Sequence, residues 1–372
     1  MINERIYLSP PYQSGHELEA FRQVLDSNWL APVGPGLERF EAEICKATGF
    51  KYAVATSSGT AAIHLGMKVL GVESGDAVLA STMTFVGGVS PIRYCGAMPV
   101  YIDSDYTTWN INVDQVEQYL DLQPTNVKAI LPTHLYGMPA DVKRIETLGK
   151  QYQVPILHDL AECLAGKVDG KTLGALVERG VYSFNGNKLI TTSGGGAFVT
   201  NHKEEAEQAL YLATQAKSPV LEYHHEAIGY NYRMSNVLAA LGVAQISTLA
   251  DRVARKQRIF DTYQQALAPL GFGFQEGQVG AESDRWLTCV LFNPDLMIDI
   301  SVIVSQMNEW NIEVRPLWKP MHRQPVFENE KVIGGAVSSA LYRCGLCLPS
   351  GCGLTDEQQA RVIHRLRAIL GL

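Results

Sequence analysis

The chain has 372 residues, 46% of them hydrophobic and 19% charged, enough apolar material for a large core or two domains. Its 31 Lys and Arg against 38 Asp and Glu give a formal net charge of -7 with no long run of either sign, which argues against a nucleic-acid or anionic-membrane binder. Every apolar stretch is interrupted before the ~18 to 20 residues needed to span a bilayer, the first residues lead into no signal-like core, and the seven cysteines are odd in number and scattered, so a soluble cytoplasmic protein with reduced thiols is expected.

Residues 16–26 and 37–48 read as two helices joined by the turn-rich Ala31-Pro32-Val33-Gly34-Pro35-Gly36. Short apolar or β-branched runs follow at 52–55, 77–80, 99–102, 129–131 and 155–157, separated by helical patterns such as 61–70, 113–120 and 142–152. Near-continuous apolar strands in that alternation imply an α/β fold with a mostly parallel sheet covered on both faces, and functional residues at the carboxyl ends of the strands. Residues 235–268 form one long helical pattern, with Ser235 as its N-cap and Pro269 ending it. Beyond it, a strand at 287–292 and helices at 301–311 and 355–370 suggest a smaller C-terminal domain. The expected division is 1–245 for the N-terminal helices and large domain, and 246–372 for the connecting helix and small domain.

The most informative stretch runs from Val181 to Gly196: Tyr182-Ser183-Phe184-Asn185-Gly186-Asn187-Lys188 and then Ser193-Gly194-Gly195-Gly196. A lysine just past a strand, flanked by small residues, suits a Schiff base, because burial lowers its pKa and keeps some of it as free amine. An ordinary surface lysine before a glycine-rich loop fits this stretch equally well. His158-Asp159-Leu160-Ala161-Glu162 adds an acidic residue at the carboxyl edge of the sheet, which either caps a helix or serves as the carboxylate partner of a pyridoxal phosphate ring nitrogen. Ser57-Ser58-Gly59-Thr60-Ala61 is a third sheet-edge turn, either a simple cap or a phosphate site made by backbone N–H groups at a helix start. No Walker lysine or Gly-x-Gly-x-x-Gly follows the first strand.

Together these stretches, with Asn28-Trp29-Leu30-Ala31-Pro32, Thr84-Phe85, Gly229-Tyr230-Asn231-Tyr232-Arg233-Met234 and Arg315-Pro316-Leu317-Trp318, resemble the nucleotide-sugar aminotransferases of the DegT/StrS type over nearly the whole chain. That is a branch of the fold-type I pyridoxal-phosphate enzymes, the aspartate aminotransferase-like fold. Within it the chain is most similar to the transaminases that make UDP-4-amino-4,6-dideoxy-N-acetylglucosamine, a precursor of N-acetylbacillosamine in bacterial glycan biosynthesis.

The resemblance implies that Lys188 carries the cofactor and then shuttles protons, that Asp159 pairs with the ring nitrogen, and that Glu162 lies near the ring hydroxyl. It implies Phe85 stacking on the ring, and Gly59, Thr60, Ala61 and Ser183 at the phosphate, completed by Asn231 of the neighbouring subunit in a homodimer. Trp29, Arg315, Trp318 and His322 are candidates for the sugar-nucleotide side. The implied reaction moves the amine of L-glutamate to the 4-keto carbon of a UDP-4-keto-6-deoxy-N-acetylhexosamine. Alternatives are another 3- or 4-keto nucleotide sugar, GDP- or dTDP-linked, a dehydratase of the same fold, or a non-catalytic cofactor-binding sensor. Some relatives that remove a hydroxyl have histidine where this chain keeps Lys188, which favours amino transfer.

One departure from the family's acidic-Asp-Ala-Ala pattern stands out: His158 replaces a carboxylate and Leu160 an alanine, which predicts a bulkier, differently charged environment beside the ring. Cys344-Gly345-Leu346-Cys347 lacks the second Cys-x-x-Cys of a zinc site, and the adjacent side chains of His224-His225-Glu226 point apart and seldom share an ion. Trp286 and Trp318 fit equally as core aromatics of the small domain.

Overall fold

The computed structural model describes residues 4–296, 299–369 and 371. Strands Tyr52–Thr56, Gly196–Thr200, Arg179–Ser183 and His158–Asp159 lie side by side in that order, and Val127–Leu131, Ala77–Ser81, Met98–Ile102 and Lys331–Ile333 continue the layer. Parallel bridges Ile130 to Ile156 and Thr133 to Asp159 join the two halves. All neighbours are parallel except Gly196–Thr200, which runs antiparallel to both of its own. Strands such as Ala77–Ser81 and Gly196–Thr200 are buried at every residue, as expected of a sheet with helices on both faces.

The expected strand at 155–157 pairs with Ile130 and runs on through His158–Asp159. Pro155 has no N–H to give, but its carbonyl accepts from Ile130, and the N–H groups of Leu157, Asp159 and Leu160 reach Ile130, Pro132 and Val181. This extension seats Asp159 on the last pairing position before the chain leaves the sheet.

The single helix expected over 235–268 is two helices, Asn236–Ile246 and Leu249–Leu267. Ser235 caps the first by accepting the N–H of Leu238. At the break, Ser247 Oγ donates to the Ala244 carbonyl and Thr248 Oγ1 to that of Gln245, side-chain bonds that compete with the helical ladder, and the axes turn by 61°. Among the described residues no single helix is long and apolar enough to cross a membrane.

Beyond the break, Gly273–Phe274, Thr288–Leu291, Gly345–Leu348 and Arg315–Pro316 form an antiparallel sheet. Its core includes Tyr263, Val290, Met307 and Val362, together with Ile6 from the start of the chain. The chain crosses the 245/246 boundary in both directions. Ile6 packs into this C-terminal cluster, while Lys331–Ile333 returns to become the edge strand beside Met98–Ile102.

Candidate active site

Four loops leave the carboxyl edge of the large sheet and converge on a cavity of about 290 Å³. The first follows Tyr52–Thr56. Ser58 caps the helix Gly59–Val69 by accepting the N–H of Ala61 at 3.0 Å, which uses that donor. The N–H groups of Gly59 and Thr60 take no partner among the described residues, and both residues line the cavity, so orphan donors of a helix start lie at its wall. Ser183, at the end of Arg179–Ser183, lies against Gly59, and its Cβ is 2.9 Å from where a Gly59 side chain would start.

The second loop carries Thr84 and the half-exposed Phe85 on one wall. The third carries Asp159 and Glu162, both almost fully buried. Asp159 Oδ1 accepts the Ala161 N–H at 3.1 Å, whereas Oδ2 takes no hydrogen bond among the described residues. A Cβ on Gly88 would stand 2.9 Å from that Oδ2 and 2.7 Å from Thr84 Oγ1, so the space beside the carboxylate exists only because position 88 is glycine. Glu162 Oε2 accepts the Tyr136 N–H at 2.8 Å and Oε1 the Trp318 indole N–H at 3.2 Å.

The fourth loop carries Lys188. Its backbone N–H closes a turn onto the Asn185 carbonyl, and its ammonium sits 3.8 Å from Glu162 Oε1 and 3.9 Å from the centre of the Trp286 ring. Burial pushes the Lys188 amine below its ordinary pKa, opposed by the nearby Glu162, Asp159 and Asp284 carboxyls. Burial likewise raises Asp159, against the Ala161 N–H and Lys188, and raises Glu162, against Lys188 first. A buried amine of lowered basicity beside two carboxyls is a poised nucleophile and proton carrier.

Trp286 is buried and Trp318 half-buried, yet both line this cavity. Trp286, Tyr136 and Trp318 lie nearly parallel, with ring centres 6.2 to 6.4 Å apart. Tyr136 is the supporting residue that sequence reasoning missed. Its hydroxyl accepts the Trp318 N–H at 2.8 Å, and it holds a left-handed φ of 55° just before Gly137. A tyrosine-glycine pair just past a strand's carboxyl edge was the available signal.

His158 and Leu160 do not reach the cavity. Both are fully buried, and side chains alternate across a strand, so they lie on the side away from Asp159. Ala140 donates to His134 Nδ1, which leaves the proton of that ring on Nε2, 2.9 Å from His158 Nδ1; His158 in turn donates from Nε2 to Glu146 at 3.1 Å. The carboxylate missing at position 158 is thus supplied to the histidine from a neighbouring helix. Leu160 packs over Gly180, where a Cβ would lie 2.6 Å from its Cδ1, and its bulk goes into the core rather than beside a ring.

A larger cavity of about 830 Å³ opens outward from the first and shares Thr84, Phe85, Asn187, Trp286 and Trp318 as walls. Arg315 lines it; Trp29 and His322 line neither cavity. His322 bonds through Nδ1 to Thr82 Oγ1 at 2.7 Å behind the wall. Trp29 is exposed in the loop before the helix Pro35–Thr48, and Asn231 is exposed and accepts from Gln215 at 3.0 Å, also away from its own chain's cavity. Free N–H donors for a phosphate, a carboxylate oxygen without a partner and a buried amine are the donor set that pyridoxal phosphate requires.

Residues 11–367 match the DegT/DnrJ/EryC1/StrS aminotransferase family. The chain is 42% identical over 373 residues to a Bacillus subtilis (strain 168) protein named as a pyridoxal phosphate-dependent aminotransferase, EpsN, covering 98% of this chain and 96% of that one. It is 34% identical to the GDP-perosamine synthase of Escherichia coli O157:H7, over 94% and 95% of the two chains. The crystal structure of the aminotransferase TlmJ from Streptoalloteichus hindustanus superposes with a TM-score of 0.92 at 28% identity, covering 99% of each chain. The chain therefore belongs to the DegT/DnrJ/EryC1/StrS family and is a fold-type I, pyridoxal-phosphate-dependent sugar aminotransferase.

Proposed function

We propose that the protein transfers the amine of L-glutamate to the 4-keto carbon of a UDP-4-keto-6-deoxy-N-acetylhexosamine, giving UDP-4-amino-4,6-dideoxy-N-acetylglucosamine. The observation that carries this reading is the buried Lys188 amine set with Asp159 and Glu162 at the base of a cavity that opens into a second, larger one. Bound pyridoxal phosphate supplies the carbonyl that links to an amine and the ring that takes up an electron pair. Asp159 would meet the ring nitrogen's proton through its spare Oδ2, and Glu162 would stand near the ring hydroxyl. Phe85, on the cavity wall, would stack on the ring. Gly59, Thr60, Ala61 and Ser183 would hold the phosphate. Lys188 moves the proton at the reacting carbon in both half-reactions.

The same reading makes the enzyme a homodimer in which Asn231 of each copy completes the other's phosphate site. Asn231 lies near the strongly exposed Leu221, Tyr223 and Ile228, and Trp29 beside the exposed Leu30 and Val33, apolar surface that a second copy would cover. Trp29 then belongs to the partner's substrate side. Seven free thiols suit a cytoplasmic setting. The likeness to GDP-perosamine synthases supports a second reading, a GDP-linked 4-keto sugar.

The test adds L-glutamate to the yellow holoenzyme, then the UDP- or GDP-linked 4-keto-6-deoxy sugar, and follows the visible spectrum and the product by mass and NMR. Bleaching by glutamate, recovery with the UDP sugar and a 4-amino product are expected. Recovery only with the GDP sugar selects the second reading, and a spectrum indifferent to glutamate overturns both. Lys188→Ala should abolish the covalent link and its absorbance.

A further inference from the structure

We infer that Lys319, rather than Arg315, is the cation that meets the diphosphate of the nucleotide sugar, an assignment that rests on the proposed nucleotide-sugar substrate. Among the described residues these are the two cations that line the larger cavity. Arg315 already has its charge matched: its Nε and Nη2 reach Glu313 Oε1 at 3.2 and 2.9 Å, while Glu313 Oε2 accepts the Leu8 N–H at 3.2 Å. The Glu313 N–H also donates to the Ile6 carbonyl, so this cluster clips the N-terminal segment to the strand Arg315–Pro316.

Lys319 differs in each respect. Its ammonium takes no hydrogen bond or ion pair among the described residues, and it is half-buried in the wall. The backbone on either side of it is anchored, with the Trp318 N–H on the Tyr136 hydroxyl and the Met321 N–H on the Thr82 carbonyl, both at 2.8 Å. Glu313 and Arg315 cancel, which leaves Lys319 as the uncompensated charge of a cavity otherwise walled largely by aromatic, proline and aliphatic side chains. A fixed base with an unpaired ammonium in an apolar cleft attracts an anion strongly, because little water competes and little ordering remains to be done.

The test measures binding to the holoenzyme by calorimetry, with UDP, GDP, uridine and 2-oxoglutarate as probes and circular dichroism as the check on folding. Lys319→Met is expected to weaken the preferred nucleoside diphosphate about tenfold or more, in line with loss of one charge-assisted contact, to leave uridine unaffected, and to be partly rescued by Lys319→Arg. Arg315→Met is expected to change diphosphate affinity less than about threefold, as suits an exposed and already paired charge. Equal losses in the two variants, or an affinity indifferent to Lys319, overturn the assignment while the amino-transfer reading stands on its own spectral test. A loss confined to 2-oxoglutarate assigns the cation to the amino donor and also overturns it. A wild type that binds no nucleoside diphosphate sinks the assignment and the nucleotide half of the proposed reaction together, even where glutamate bleaches the cofactor.

Discussion

The Lys188 ammonium rests 3.9 Å above the Trp286 ring, and the same indole donates its N–H to the Asn187 carbonyl at 2.7 Å across 99 residues of chain. One side chain just before the strand Thr288–Leu291 thus fixes both the loop that carries Lys188 and the place where its amine lies. Ser9 adds a second tether, its hydroxyl donating to the same carbonyl at 3.0 Å.

Truncating this platform should cost both stability and placement of the amine. Trp286→Ala is expected to destabilise the protein by about 3 to 5 kcal/mol through the cavity it leaves. Trp286→Phe, which keeps much of the packing and loses the Asn187 bond, should cost about 1 kcal/mol. Urea denaturation of the two variants checks this, and equal losses would show that the Asn187 bond, absent from both, outweighs the packing.

Gly88 leaves room beside Asp159 Oδ2, and Gly88→Ala should close it. Alanine favours the helix Val86–Tyr94, but its Cβ would also stand 2.7 Å from Thr84 Oγ1, so the helix preference offsets only part of the overpacking and the fold should lose about 1 kcal/mol. Cofactor affinity should fall by about a hundredfold, since a contact of 2.9 Å against a buried carboxylate must be relieved by moving it. Equilibrium dialysis with pyridoxal phosphate reads the loss directly, and wild-type affinity would show that the carboxylate shifts freely.

Asp284 predicts a pH signature. Burial raises its carboxyl from 3.8 to about 7, against the Ala165 N–H and the Lys256 charge. Its Oδ1 has no hydrogen-bond partner among the described residues, while Oδ2 accepts from Ala165 at 3.1 Å. A raised carboxyl stabilises the fold below its unfolded pKa and loses that contribution as the pH climbs through its folded one. Between pH 4 and 8 the wild type should therefore lose stability relative to Asp284→Asn, by a total on the order of 4 kcal/mol. Parallel unfolding free energies across that range would disprove the shift.

Leu160 and Gly180 should behave as one unit. Gly180→Ala is expected to cost about 1 to 3 kcal/mol by overpacking against the Leu160 side chain. The same change in a Leu160→Ala background should cost much less, and a double-mutant cycle measures that coupling. Additive losses would mean that the two positions are accommodated separately.

Much of the molecule was legible in the chain alone. The apolar runs at 52–55, 77–80 and 99–102 and the helices between them became the sheet and its cover, because strand and helix periodicities are local properties. The turns holding Gly59, Asp159 and Lys188 met at one edge because parallel strands all present their carboxyl ends there. The helix break at Ser247 was missed, since it depends on which hydroxyls turn back onto the backbone rather than on hydrophobic pattern.

What the sequence by itself determined was therefore the order of the strands' endings and the chemical kinds of residue placed on them: an amine, two carboxyls and a helix start. The tertiary structure decided which distant side chains complete the site. It brought Trp286 over Lys188, put His322 behind the wall on Thr82 and turned His158 and Leu160 into the core. These relations join residues far apart in the chain or depend on which face of a strand is turned inward. Only packing between the sheet and the C-terminal segment sets them, because no local preference encodes a contact across that span.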